Sequence, residues 1–125
     1  MQDRLFAAIN THTVDFVDIR IEDQLTSWAA FRGPELDSIG SARTVGGIVR
    51  ALYKGGWGYA TFNDLENLEK RVAEACEIAR LVGKETSHLA PIVPVEVEIR
   101  ANLARDFRGV PLAEKKALAE RYNQI

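Results

Sequence analysis

The chain has 125 residues, of which 46% are hydrophobic, so it is long enough to bury one compact core and too short for two ordinary domains. Its 16 Lys and Arg residues and 18 Asp and Glu residues give a formal net charge of −2, and the two signs are interspersed. This balance disfavours a domain that binds nucleic acid through a basic surface. The single cysteine, Cys76, excludes an internal disulfide framework and a zinc site built from cysteines.

We expect a cytoplasmic protein that is neither exported nor bound to a membrane. One cysteine fits a reducing compartment. The N-terminal sequence lacks the apolar centre of a signal peptide, and no stretch reaches the roughly 18 consecutive apolar residues of a membrane helix.

The N-terminal part of the sequence predicts a short helix followed by strands. An apolar stripe with helical spacing predicts a helix over residues 3–10. Apolar and polar residues alternate over residues 15–22, which is the pattern of a strand with one buried face. Two shorter strands are predicted next, each followed by a pair of turn-forming residues. These strands and turns are residues 25–32, Gly33-Pro34, residues 35–39 and Gly40-Ser41.

A β-hairpin is predicted in the middle of the chain. Two extended runs, residues 44–53 and 57–62, are joined by Gly55 and Gly56. A two-residue turn of the primed type needs positive φ at both central positions, which glycine adopts at low steric cost. We therefore expect the two glycines at the centre of the turn.

A long amphipathic helix is predicted to follow the hairpin. Asn63 is expected to cap its N-terminus, with Glu66 completing a capping-box arrangement, and Gly83 is expected just after its last residue, Val82. One face is apolar and the other is charged, so the helix is expected to cover a sheet. The apolar stripe consists of Leu65, Leu68, Val72, Ala75, Cys76, Ala79 and Val82.

The C-terminal part predicts a connection, a strand and a helix. Residues 84–94 have the composition of a connection, and alternating apolar residues over 95–100 predict an edge strand. Pro111 suits the first turn of a final helix over residues 112–122. The order of elements predicts an α+β fold, with a twisted, mostly antiparallel sheet, the long amphipathic helix packed on one face, and short flanking helices.

The chemically active side chains form no catalytic or metal-binding pattern in the sequence. His12 and His88 lack a second ligand at helical spacing, so surface or capping roles are favoured over a metal site. Cys76 lies on the apolar stripe, which favours a small buried hydrophobe over a nucleophile. The glycine pairs at residues 46–47 and 55–56 join strands, which favours hairpin and bulge geometry over a phosphate-binding loop.

Two arginines are the candidate substrate-binding residues. Arg20 lies between two acidic residues on the polar face of the first strand, and Arg50 interrupts an apolar run. Each is expected either to form a cross-strand ion pair or to bind a carboxylate or a peptide carbonyl through its guanidinium. Trp28 and Trp57 are expected in the core or on a sheet face, where an exposed aromatic ring would favour ligand binding.

Three stretches carry a family resemblance: DFVDIRIE at residues 15–22, GGIVRALYKGGWGYATFND at residues 46–64, and DFRGVPLAEK at residues 106–115. In this order and spacing they resemble the N-terminal domain of the TldD/PmbA family, also called modulators of DNA gyrase. The first stretch is more similar to the TldD branch than to the PmbA branch. The resemblance covers nearly the whole chain.

The resemblance implies a zinc metallopeptidase that acts on peptides or unfolded polypeptides, as a homodimer or heterodimer of TldD and TldE type subunits. In the family, a His-Glu-x-x-x-His helix and a later Cys in the C-terminal half hold the zinc. This sequence lacks that motif, so no catalytic residue and no zinc ligand is carried over. We expect no cofactor in this chain and no activity from it alone.

The resemblance further implies how the chain is organised. Residues 1–110 are expected to form the N-terminal α+β domain, and residues 111–125 a connector helix toward a C-terminal peptidase domain. The domain is expected to contribute to subunit assembly and substrate confinement, and an extended peptide is expected to bind a sheet edge. The alternative is a free-standing module of the same fold that binds a protein or peptide and has no peptidase activity. Direct nucleic-acid contact in gyrase modulation is disfavoured by the charge balance.

Overall fold

The computed structural model describes residues 2–125. Within them, the three strands form one antiparallel sheet in the order β1-β2-β3, and this arrangement confirms the predicted α+β class. In chain order the elements are α1 (Gln2–Ile9), β1 (Phe16–Arg32), β2 (Glu35–Tyr53), β3 (Gly56–Phe62), α2 (Leu68–Val82), a 3₁₀ turn (Phe107–Gly109) and α3 (Leu112–Asn123).

The described chain divides into two compact units, and β1 and β2 contribute residues to both. The first unit consists of Met1–Asp23 and Thr44–Ile92, and it includes α1, β3 and α2. The second consists of Gln24–Arg43 and Val93–Ile125, and it includes the hairpin between β1 and β2, the 3₁₀ turn and α3.

The first two strands are longer than predicted. Each contains two of the predicted strands, so the predicted stop at Gly40 and Ser41 is wrong. Gly40 has a packing role instead, because a Cβ atom there would lie 2.5 Å from the indole ring of Trp28. The predicted turn at Gly33 and Pro34 is confirmed. Gly33 occupies the first central position of this turn and has a positive φ of 58°, as in type II′ hairpin turns.

The second hairpin is confirmed, but its turn is one residue earlier than predicted. Tyr53 pairs with Gly56, so the two central residues are Lys54 and Gly55, with φ values of 44° and 77°. Positive φ at both positions is the signature of a type I′ turn. Gly56 is instead the first residue of β3, and a Cβ atom there would lie 2.4 Å from the backbone nitrogen of Gly83. Close packing, rather than turn geometry, therefore requires that glycine.

The hydrophobic core of the first unit lies between α2 and one face of the sheet. The helical stripe is confirmed over Leu68–Ala79, but Leu65 precedes α2 and is only partly buried, and Val82, the last residue of α2, is 51% exposed. Small residues on β3 bring the two elements close together, and a Cβ atom on Gly58 would lie 1.9 Å from the carbonyl oxygen of Ala75. The buried core residues are Ala8, Val49, Ala51, Ala60, Phe62, Leu68, Val72, Ala75, Cys76 and Ala79.

The predicted N-cap of α2 is wrong. The helix begins at Leu68 after Asn67, which makes no capping hydrogen bond through its side chain. The backbone N–H of Glu66 donates instead to the Asp64 side chain, over 2.9 Å. This local hydrogen bond offers the backbone an alternative to the helix, so α2 begins later than the sequence pattern indicates. At the other end, Gly83 follows Val82 as predicted, with an extended conformation.

The connection after α2 is confirmed, but the edge strand predicted over residues 95–100 is wrong. Residues 86–103 contain no helix or strand. Val95, Val97 and Ile99 are 82%, 67% and 87% exposed, so no apolar face is buried among the residues described. Alternation alone does not form a strand when no neighbouring strand supplies hydrogen bonds. The final helix, α3, follows Pro111 as predicted. None of the described helices is long and apolar enough to cross a membrane.

Candidate substrate-binding face

The sheet of the first unit has one face covered by α2 and one face without a covering helix. Along β3, Gly56, Gly58 and Ala60 are buried on the α2 side, while Trp57 and Tyr59 alternate with them and point the other way. The face without a covering helix, which also carries Asp18, Arg20 and Glu22 of β1 and Arg50 of β2, is called the open face. Both predicted substrate-binding arginines lie on it.

Arg50 forms a cross-strand ion pair with Asp18. Its Nε donates to Asp18 Oδ1 over 2.9 Å, and its Nη2 donates to Asp18 Oδ2, so the contact is bidentate. This hydrogen bonding and the carboxylate charge raise the pKa of Arg50 above its ordinary value. The Arg50 side chain is 47% exposed, so it stays in reach of a ligand while Asp18 fixes its orientation. Asp18 engages two of the five N–H groups of the guanidinium.

Arg20 is held less firmly. Its Nη2 donates to Glu22 Oε1 over 2.5 Å, two residues along the same strand, and its side chain is 75% exposed. Arg20 and Asp18 are also two residues apart on β1, so their side chains leave the same face of the sheet. The open face therefore carries two guanidinium groups, each beside its own carboxylate. Substrate binding by these residues stays a prediction.

An aromatic row lies beside the arginines on the open face. The Trp57 and Tyr59 rings are stacked with centroids 6.2 Å apart, and the Phe16 and Trp57 rings form a T-shaped pair with centroids 6.1 Å apart. Tyr59 is opposite Arg50 in the register of β2 and β3 and is 51% exposed. Sequence reasoning missed Phe16 and Tyr59. The signal was the alternation of small and aromatic residues over residues 56–60 of β3, which places Trp57 and Tyr59 on the same face.

Trp28 is not part of this face. It lies in the second unit against Gly40 and is 43% exposed. The glycine pairs have structural roles, since a Cβ atom on Gly47 would lie 2.1 Å from the carbonyl oxygen of Arg20. Residues 46–47 both lie within β2, so this pair belongs to a strand and not to a phosphate-binding loop.

The remaining candidates do not form a metal or nucleophile site among residues 2–125. Cys76 is fully buried, as predicted, and burial raises the pKa of its thiol. His88 lines a small pocket with Asp15 and Leu52, and His12 is partly buried. No group of three His, Cys, Asp or Glu side chains in the part of the chain that the structure describes has the arrangement to hold a metal ion. The zinc implied by the family resemblance therefore does not fit the donors of these residues.

Comparison with known proteins agrees with the resemblance seen in the sequence. The sequence model described as PmbA/TldA metallopeptidase domain 1 matches residues 17–79, which contain most of the open face and of α2. The chain is 38% identical to Metalloprotease slr0863 of Synechocystis sp. over 112 residues, which are 89% of this chain and 24% of that protein. It is 33% identical to Metalloprotease MJ0996 of Methanocaldococcus jannaschii over 69 residues, 54% of this chain and 15% of that protein. The matched region thus spans at most about a quarter of either relative.

Proposed function

Because the chain belongs to the PmbA/TldD metallopeptidase family, we propose that it is the non-catalytic N-terminal domain of a TldD-like zinc metallopeptidase. In this proposal, residues 1–110 form the domain and residues 111–125 lead into a C-terminal peptidase domain. The enzyme cleaves peptides or unfolded polypeptides in the cytoplasm. The buried free thiol of Cys76 fits a reducing compartment.

One observation carries the proposal. Most of this chain, 89%, aligns with only 24% of a protein named a metalloprotease, and the described residues offer no three-donor metal cluster. A metallopeptidase needs several ligands around its metal ion and an open coordination position for water or substrate. We therefore assign the metal ion and the cleavage of the peptide bond to the C-terminal peptidase domain.

The open face gives the domain a means of confining substrate. Arg20 and Arg50 present guanidinium groups suited to peptide carbonyls and carboxylates, and Tyr59 adds an exposed aromatic surface beside Arg50. An extended peptide also binds the edge of a sheet through main-chain hydrogen bonds that do not depend on its sequence. These contacts suit an enzyme whose substrates are unfolded.

Subunit assembly is the second role that we propose, through a homodimer or heterodimer of TldD and TldE type subunits. Val93, Val95 and Ile99 of the second unit are between 82% and 87% exposed in the segment that follows α2. Exposed apolar side chains close together in sequence are typical of a surface that another protein segment covers.

The proposal is tested with the full-length protein beside this 125-residue chain. We expect bound zinc and chelator-sensitive cleavage of an unfolded polypeptide from the full-length protein, and neither from the chain alone. Replacing both Arg20 and Arg50 with Ala should raise KM about tenfold with kcat unchanged, the size expected for losing charge-assisted hydrogen bonds. Arg32→Ala, in the hairpin of the second unit, is the matched control.

Two results would contradict this function. Zinc-dependent cleavage by the 125-residue chain alone would place the chemistry within it. A full-length protein that binds peptides without cleaving them, with or without zinc, would favour the free-standing binding module instead.

A further inference from the structure

The second unit contains an open groove that the proposed function does not use. One face of α3 forms its wall, and residues in and beside the 3₁₀ turn and one residue of β1 complete it. The groove has a volume of about 650 Å³, within the range of about 300–1,000 Å³ found for small-ligand sites. Its lining residues are Ser27, Arg105, Phe107, Val110, Glu114, Lys115, Ala117, Leu118 and Arg121.

The groove has an excess of positive charge. Arg105, Lys115 and Arg121 line it together with one acidic residue, Glu114. Arg105 neutralises that acid, since its Nη2 lies 2.8 Å from Glu114 Oε1. Two cations are thus left without an acidic partner among the lining residues, although the whole chain carries a net charge of −2. The local charge is complementary to an anion.

The two uncompensated cations differ in their contacts. The Nζ of Lys115 donates to Ser27 Oγ over 2.9 Å and lies 5.2 Å from the centroid of the Phe107 ring. Neither contact neutralises its charge, but together they fix its position. The Arg121 side chain is exposed and forms no ion pair or hydrogen bond within residues 2–125. It is therefore able to turn toward a bound anion.

The groove also has an apolar surface for a ligand. Phe107 and Leu118 are each 45% exposed, and Val110 lies beside them. A ligand that covers these side chains gains hydrophobic contact while its charged group meets Lys115 and Arg121. Both requirements are met by an apolar residue that carries a free terminal carboxylate.

We propose that this groove binds the C-terminal residue of a peptide, with the carboxylate at Lys115 and Arg121 and an apolar side chain on Phe107 and Leu118. The choice of a peptide rests on the proposed function, whereas the anionic and apolar character of the ligand rests on the groove itself. Binding here would hold one end of a substrate or a cleaved product.

The test measures binding without cleavage. A fluorescein-labelled peptide with the sequence Gly-Ser-Gly-Ser-Leu is titrated with the protein in its full natural length, in the presence of a chelator, and followed by fluorescence anisotropy. The same peptide with a C-terminal amide is the matched ligand control. We expect the amide to bind about tenfold more weakly, because it removes the charge that the two cations recognise.

Three variants locate the site. Arg121→Ala should weaken binding of the free acid about tenfold and leave binding of the amide unchanged, and Lys115→Ala should do the same. Lys116→Ala is the control, because Lys116 lies on α3, pairs with Glu120 and does not line the groove. Far-UV circular dichroism checks that each variant keeps its helices.

If the unmodified protein binds the acid and the amide peptides with equal affinity, the proposal is overturned. This outcome does not depend on whether any variant folds. An effect of Lys116→Ala as large as that of Arg121→Ala would overturn the location. The peptidase assay is separate from these measurements. If the full-length protein shows no chelator-sensitive cleavage but still binds the acid peptide more tightly than the amide, the proposed function is refuted. The groove then remains a carboxylate-binding site.

Discussion

Replacing Gly58 with Ala tests how closely α2 packs on β3. The new Cβ atom would lie 1.9 Å from the carbonyl oxygen of Ala75 and 2.5 Å from the backbone nitrogen of Ala79, whereas ordinary contact begins at 3.4 Å. Both atoms belong to the helix backbone, which has no rotamer with which to move aside. The helix would therefore have to move away from the sheet by about 1.5 Å. A gap of about 0.5–1 Å already removes a quarter to a half of the van der Waals attraction between two atoms, so this movement would weaken the packing of α2 on β3.

We expect Gly58→Ala to lower the free energy of unfolding by about 3 kcal/mol, the upper end of the usual cost of overpacking. Without the steric conflict, Ala would stabilise a strand by about 0.5–1 kcal/mol relative to Gly, so the expected sign is opposite to that of intrinsic propensity. Urea unfolding of the 125-residue chain, followed by tryptophan fluorescence, measures the change. Gly109→Ala is the control, because nothing lies within 4 Å of its Cβ position, and it should change stability by less than about 0.5 kcal/mol. A loss below about 1 kcal/mol for Gly58→Ala would refute the close approach of the two backbones.

Further predictions concern a pKa, the core and an ion pair. Hydrogen bonds from Arg108 lower the pKa of Asp106 from 3.8 to about 2, so its carboxylate supports the 3₁₀ turn fully above pH 3.8 and loses this effect as the pH falls through about 2. An NMR titration should show that midpoint, and Arg108→Ala should return it toward 3.8. Val72→Ala should cost about 2 kcal/mol in urea unfolding, since the side chain is fully buried, whereas Leu81→Ala, at a position that is 81% exposed, should cost less than about 0.5 kcal/mol. Arg50→Ala should cost no more than about 1 kcal/mol in the same assay, and a larger loss would show that its ion pair is better shielded from water than its 47% exposure indicates.

The α+β class, the two hairpins and the face of α2 were predictable because each depends on local pattern. Alternation over residues 15–22, the Gly33-Pro34 pair and the helical stripe each specify which side chains are buried together. The same reasoning failed at Gly40 and Gly56, where glycine permits another group to approach closely. Those neighbours are distant in sequence, at Trp28 and Gly83, so no local window contains the reason for the glycine.

The edge strand over residues 95–100 failed for a related reason. Its period-two pattern is genuine, but a strand also needs a partner with free backbone groups and a surface to bury its apolar side chains. Among the described residues, this segment pairs with no strand and buries no apolar face, and Val95 stays 82% exposed. For the candidate site, the sequence identified Arg20 and Arg50. It did not reveal that Tyr59 lies opposite Arg50, because that depends on the register of β2 and β3.

The two proposed binding surfaces differ in how far their positive charges are neutralised by nearby carboxylates. On the open face, Arg20 and Arg50 each lie beside a carboxylate, so their fields are largely cancelled beyond hydrogen-bond distance. In the groove, the charges of Lys115 and Arg121 are not cancelled by a lining acid. Added salt screens net charge over about 10 Å at 0.1 M and has less effect on a short hydrogen bond that is already formed. Peptide binding in the groove should therefore weaken as salt increases, whereas peptide binding on the open face should change little.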